Sequence, residues 1–71
     1  MKMSYKKLWV VLAQRDMKQV TLKKELGISG GTMTKLNKGE EVSLSILLRI
    51  CDYLNCDIGD ICEAVRVEEP N

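Results

Sequence analysis

Apolar residues recur along this chain at intervals of three and four, the spacing that gathers them on one face of an α-helix. Behind Ser4, a good N-cap residue, Tyr5, Leu8, Trp9 and Leu12 form an i, i+3, i+4, i+7 stripe and predict a first helix over about 4–15. Lys18 to Leu26 carries Leu22 and Leu26 four apart, with Gly27 where helices commonly end in a left-handed residue, so a second helix is expected over 18–26. Ser29 is placed to cap a third over 29–38, with Met33 and Leu36 inward and Gly39 ending it. The broadest stripe, Leu44, Leu47, Leu48, Cys51 and Leu54 behind Ser43, predicts a fourth helix over 43–54 that stops at Asn55. Asp57 then precedes Ile58, Ile61, Cys62 and Val65 at helical spacing, with acid at the end the macrodipole favours, and a fifth helix is expected over 57–65. Met1–Ser4 and Val65–Val67 are short and alternating, and can pair as a two-stranded ribbon joining the chain ends.

Five helices in 71 residues, 45% of them apolar, make a single small domain over 1–71, closed by an acidic tail at 66–71. With 30% charged residues and no run of about 18 apolar ones, no membrane span is expected. The basic N-terminus is followed by an apolar stretch of only Leu8–Ala13 and no small-residue cleavage site, so no export signal is read and a cytoplasmic location is expected. Cys51, Cys56 and Cys62 are odd in number and spaced C-x4-C-x5-C, and the chain has no histidine. Neither a disulfide framework nor a zinc site fits; Cys51 and Cys62 read as core, Cys56 as a loop thiol, and no metal or cofactor is expected. Without histidine, a glycine-rich phosphate loop or a cysteine beside a base, the chain lacks the usual parts of an enzyme.

The formal net charge of +1 conceals a segregation. Residues 1–39 hold nine cations against Asp16 and Glu25, whereas residues 40–71 hold only Arg49 and Arg66 against eight carboxylates. Two solvated faces of opposite sign would satisfy this pattern. A basic half of this kind also suits contact with a nucleic acid.

Two short helices joined by a tight turn, with Gly27 at its start and Ser29 capping the second, have a helix-turn-helix layout. The run Gln19 to Gly39 resembles the phage repressor and Cro group, the Xre family. Gln19 stands at that family's helix 2 glutamine, Leu22 at a core leucine, Gly27 at the turn, Ile28-Ser29 at the approach to the recognition helix, and Met33, Leu36 and Gly39 at buried and terminal positions. Leu44 to Leu54 and Asn55-Cys56-Asp57-Ile58 resemble the family's helix 4 and the capped start of helix 5. The resemblance implies an all-α, five-helix lambda-repressor-like domain whose third helix lies in the major groove of double-stranded DNA. It assigns Gln19 to a phosphate or to bracing helix 3, Lys18, Ser29 and Thr32 to backbone oxygens, Gly30, Gly31, Thr34 and Lys35 to the bases, and Lys38 to a nearby phosphate. Capping and a solvated polar face would also account for Gln19, Ser29 and Thr32. Four departures stand out: Gly30-Gly31 replace long side chains and leave direct readout poor, Glu40-Glu41 repel phosphates, Lys23 replaces a small residue and must turn its stem outward, and Leu12 replaces an arginine.

Ile46, Ile50 and Tyr53 lie largely opposite the Leu44, Leu48 and Cys51 stripe, and Val10 points away from the stripe of helix 1. Ile50 also suits a core position. Together the four suggest a partner surface, a second copy being the commonest choice. The expected function is therefore a small DNA-binding transcriptional regulator, repressor-like and dimeric, with no small-molecule effector. The alternative is an antitoxin or anti-repressor type of interaction module that keeps the fold and binds a protein.

Overall fold

The computed structural model describes residues 1–67; residues 68–71, most of the expected acidic tail, lie outside the described residues. The described chain runs β1 (Lys2–Ser4), α1 (Lys6–Gln14), α2 (Gln19–Leu26), α3 (Gly30–Lys38), α4 (Leu44–Leu54), a 3₁₀ turn (Ile58–Asp60) and β2 (Glu63–Val65). Among the described residues there are four α-helices, which corrects the five expected.

The segment expected as a fifth helix over 57–65 begins as one and then departs. Asp57 and Asp60 form a reciprocal capping box, each side chain accepting from the other end of the turn. One turn follows, and Gly59 within it weakens any continuation, while nucleating a helix this short gains few hydrogen bonds for the residues it fixes. Ile61 and Cys62 are buried, after which the chain straightens and β2 pairs antiparallel with β1, with Lys2 opposite Val65, Met3 opposite Ala64 and Ser4 opposite Glu63. The ribbon therefore recruits Glu63 and Ala64, two residues earlier than the Val65–Val67 expected. It also claims Ser4, so α1 starts behind Tyr5 and the Ser4 hydroxyl only accepts from the Lys6 N–H at 3.4 Å.

The other caps are residue-specific. Ser29 accepts from the Thr32 N–H at 3.2 Å and Ser43 from the Ile46 N–H at 3.4 Å. The helices α2, α3 and α4 end on left-handed Gly27, Gly39 and Asn55. Tyr5, Leu8, Leu12, Leu22, Ile28, Met33, Leu36, Leu47, Ile50, Leu54 and Ile61 form the core, together with Cys51 and Cys62 as expected. The Arg49 guanidinium donates to the Leu26 carbonyl and ties α4 to the C-terminus of α2.

Helix α4 is rotated from the expected orientation. Leu47, Ile50, Cys51 and Leu54 face inward, whereas Leu44 is 62% and Leu48 53% exposed. Because the helix is apolar on two sides, both sets satisfy the same i, i+3, i+4, i+7 template, and packing against Leu8, Leu22 and Ile61 decides between them. The three cysteines are free; burial pushes the Cys51 and Cys62 thiols up from their ordinary value, and Cys56 is half-buried. No helix among the described residues is long and apolar enough to cross a membrane.

Candidate nucleic-acid interface

The turn between α2 and α3 is short because each residue in it has a task. Gly27 takes φ 62° and stops α2, the Ile28 N–H returns to the Lys23 carbonyl at 3.0 Å, and the Ile28 side chain is buried. Ser29 then caps α3, its hydroxyl also donating to Thr32 Oγ1 at 3.0 Å. Gln19 in the first turn of α2 and Asn37 near the end of α3 form a reciprocal amide pair, with Asn37 Nδ2 donating to Gln19 Oε1 at 3.1 Å and Gln19 Nε2 donating to Asn37 Oδ1 at 3.2 Å. Asn37 Nδ2 also donates to the Met33 carbonyl at 3.0 Å. The two helices are thus locked at both ends of α3.

Turning about 100° per residue, Gly30, Gly31, Thr34, Lys35 and Lys38 occupy one arc of roughly 140°, opposite Met33 and Leu36. All five are exposed. Thr34 spends its hydroxyl proton on the Gly30 carbonyl at 3.0 Å, so its oxygen is left as an acceptor. Lys18, in extended conformation at the N-cap of α2, and Ser29 are exposed, and Thr32 is half-buried. The structure therefore brings the sequence-predicted residues Lys18, Gln19, Ser29, Gly30, Gly31, Thr32, Thr34, Lys35 and Lys38 onto the surface made by α2 and α3.

Two further residues belong to it. Asn37 orients Gln19, a role signalled only by its being polar and four residues beyond buried Met33. Lys23 reaches over the first turn of α3, its Nζ standing 3.8 Å from where a Cβ on Gly30 would lie. That ammonium adds positive charge at the helix N-terminus, at a distance that a Cβ on Gly30 would leave undisturbed. Glu40 and Glu41 are exposed beyond α3, and the link is held to α1 by the Tyr5 hydroxyl donating to the Glu40 carbonyl at 2.8 Å. Burial pushes the Tyr5 phenol above its ordinary value.

The expected partner surface is only partly available. Val10 and Tyr53 are exposed and Ile46 is half-buried against the core, but Ile50 is fully buried between α4 and the rest of the bundle. Ile50 is a core residue, the inward face of α4 being the one centred on it.

A family model described as the Cro/C1-type helix-turn-helix DNA-binding domain matches residues 7–66. The chain belongs to this family. Membership makes it a small sequence-specific DNA-binding transcriptional regulator, the first of the two modes of action expected. Among solved structures, one reported as the crystal structure of transcriptional regulator VanUg, Form II, is similar at 55% sequence identity and a TM-score of 0.88, covering 90% of this chain and 85% of that one. No curated protein matches.

Proposed function

We propose that this Cro/C1-type protein regulates transcription by laying α3 into the major groove of operator DNA as a homodimer. The observation that carries the reading is the exposed arc of α3 flanked by Lys18 and the Gln19–Asn37 pair. On this reading Gly30, Gly31, Thr34 and Lys35 face base edges, while Lys18, Gln19, Ser29, Thr32 and Lys38 hold backbone oxygens. Lys23 adds attraction at the α3 N-terminus. Three free thiols suit a reducing compartment such as the cytoplasm.

A second copy would set two α3 helices about one DNA turn apart, which makes up in length of site what Gly30 and Gly31 lack in contacts. The apolar side chains free to make that interface are Val10 and Tyr53 from the expected set, with Leu44 and Leu48 now beside them as candidates. Gel shifts against fragments from around its own gene, at two salt concentrations, test the reading. Affinity should fall steeply with salt, and Lys35→Glu should lose most binding while its circular dichroism stays that of the parent. Equal binding by parent and variant would overturn the assignment of α3.

A further inference from the structure

The pairing of the chain ends carries Arg66, one of two cations in the acidic half of the sequence, back to the basic half. Between the ribbon, the first turns of α1 and the last turn of α3 lies an open concavity of about 500 Å³. Its walls hold Lys2, Lys6, Lys38 and Arg66, together with Trp9, and Glu63 is the single carboxylate among the described lining residues. That carboxylate is shared with the Lys7 ammonium at 3.4 Å, so it does not neutralise the groove.

We propose that this groove grips the sugar–phosphate backbone of the DNA flank, as a second, sequence-independent contact beside the one made by α3. The proposal rests on the DNA-binding reading above and extends it to a surface that the helix-turn-helix does not include. Lys38 belongs both to the exposed arc of α3 and to the groove, and Asn37, paired with Gln19, lines it too. The groove thus begins where the α2–α3 surface ends. Lys2 lies over the link after α3, its Nζ 3.5 Å from where a Cβ on Gly39 would stand, next to the loop that Glu40 and Glu41 make acidic. The ribbon supplies at that point the positive charge that the loop lacks. A guanidinium and flexible ammonium groups around an open trough are suited to a row of phosphates, which they bind by charge and hydrogen bonds without reading bases.

The test is the salt dependence of binding by the parent and by Lys2→Gln/Lys6→Gln/Arg66→Gln, with Lys6→Gln alone as the mildest variant because Lys6 is exposed on α1. Each lost phosphate contact should lower the slope of log affinity against log salt by about 0.9, so the triple variant should lose close to three units and Lys6→Gln one. The preferred sequence should not change. Trp9, the only tryptophan, lines the groove and reports its occupancy: its emission should change on binding a long duplex and not on binding one trimmed at the flank. An unchanged slope in a variant that still folds, or an equal fall on the trimmed duplex, would overturn the proposal while leaving the α3 reading intact if Lys35→Glu still abolishes binding. Absence of any DNA affinity in the parent overturns both. Binding of inorganic tripolyphosphate by the parent but not the triple variant, with the DNA slope unchanged, would mark a small-anion pocket and likewise overturn the proposal.

Discussion

Gly39 is held by two constraints at once. Its φ of 72° is strained for any side chain, and a Cβ there would stand 2.8 Å from the Met3 carbonyl oxygen, which is backbone of the ribbon and cannot swing away. Gly27 has the left-handed conformation alone, with nothing within 4 Å of a Cβ. Alanine at either position costs about 1–2 kcal/mol for the backbone, and only Gly39→Ala adds the clash. Thermal unfolding should therefore show a larger fall for Gly39→Ala than for Gly27→Ala, and equal falls would mean that the ribbon yields without cost. Tyr5 makes a different prediction. Burial raises its phenol above 10.0, so the fold needs the neutral form: its contribution is fully present below the unfolded value and is lost as pH rises through the folded one. Cys51 and Cys62, raised above 9.0 by burial, act in the same direction and open the window earlier. Tyr5→Phe should cost about 1 kcal/mol near neutrality by losing its bond to the Glu40 carbonyl. Urea unfolding at about pH 8 and about pH 10.5 should show that deficit shrinking as pH rises; a constant deficit would mean Tyr5 ionises freely in the fold.

Helix α3 is locally weak where it faces outward. Two glycines in its first turn each forgo up to about 1 kcal/mol of helix propensity. Neither is required by space, because a Cβ on Gly30 meets only the end of Lys23 at 3.8 Å and one on Gly31 only the Ser29 hydroxyl at 4.0 Å. Gly30→Gln with Gly31→Gln should raise the melting temperature, and selection from random DNA should return a sharper or redirected preference than the parent's, since a bidentate base contact is worth about 1–3 kcal/mol and glycine offers none. A parent consensus already as sharp under this turn would refute the account. Ser29→Ala should cost about 1 kcal/mol by removing the cap. These caps and glycine stops are local chemistry, which is why Ser29, Ser43, Gly27, Gly39 and Asn55 could be read from sequence. The fifth helix could not, because Ile58, Ile61, Cys62 and Val65 fit a helical period over a window too short to exclude a turn followed by a strand whose partner lies some sixty residues away. The rotation of α4 was hidden for a related reason: two apolar faces satisfy one period, and only the neighbours choose Ile50 over Leu44 and Leu48. At the candidate interface, the shared surface of the α2 and α3 residues was legible from the motif. Lys23 and Asn37 were not, since what they reach depends on how the two helices cross.

Across the whole molecule, folding leaves a core on one side of α4 and apolar side chains on its outer flanks. Leu44 and Leu48 are four apart and more than half exposed, sharing one flank, while Tyr53 at 39% exposure marks the other. Water contact for two adjacent leucines is a standing cost that a second copy of the chain would remove by covering them. Self-association would also link two α3 helices, and linked sites gain about 10²–10⁴ in affinity without any new contact to DNA. If α4 makes the interface, Leu44→Glu with Leu48→Glu should sediment as a folded monomer, because neither side chain supports the core, and should bind a two-half-site operator at least about 10²-fold more weakly. Its affinity for a single half-site should match the parent's, because α2 and α3 are untouched. Ile46→Glu with Tyr53→Glu examines the opposite flank in the same way, with some loss of stability expected from half-buried Ile46. Ile50→Glu is the contrasting control: a carboxylate in a fully buried position should unfold the domain. Dimers that survive both surface pairs would place the interface away from α4, on Val10 or the ribbon, and would leave the exposed leucines without an assembly role.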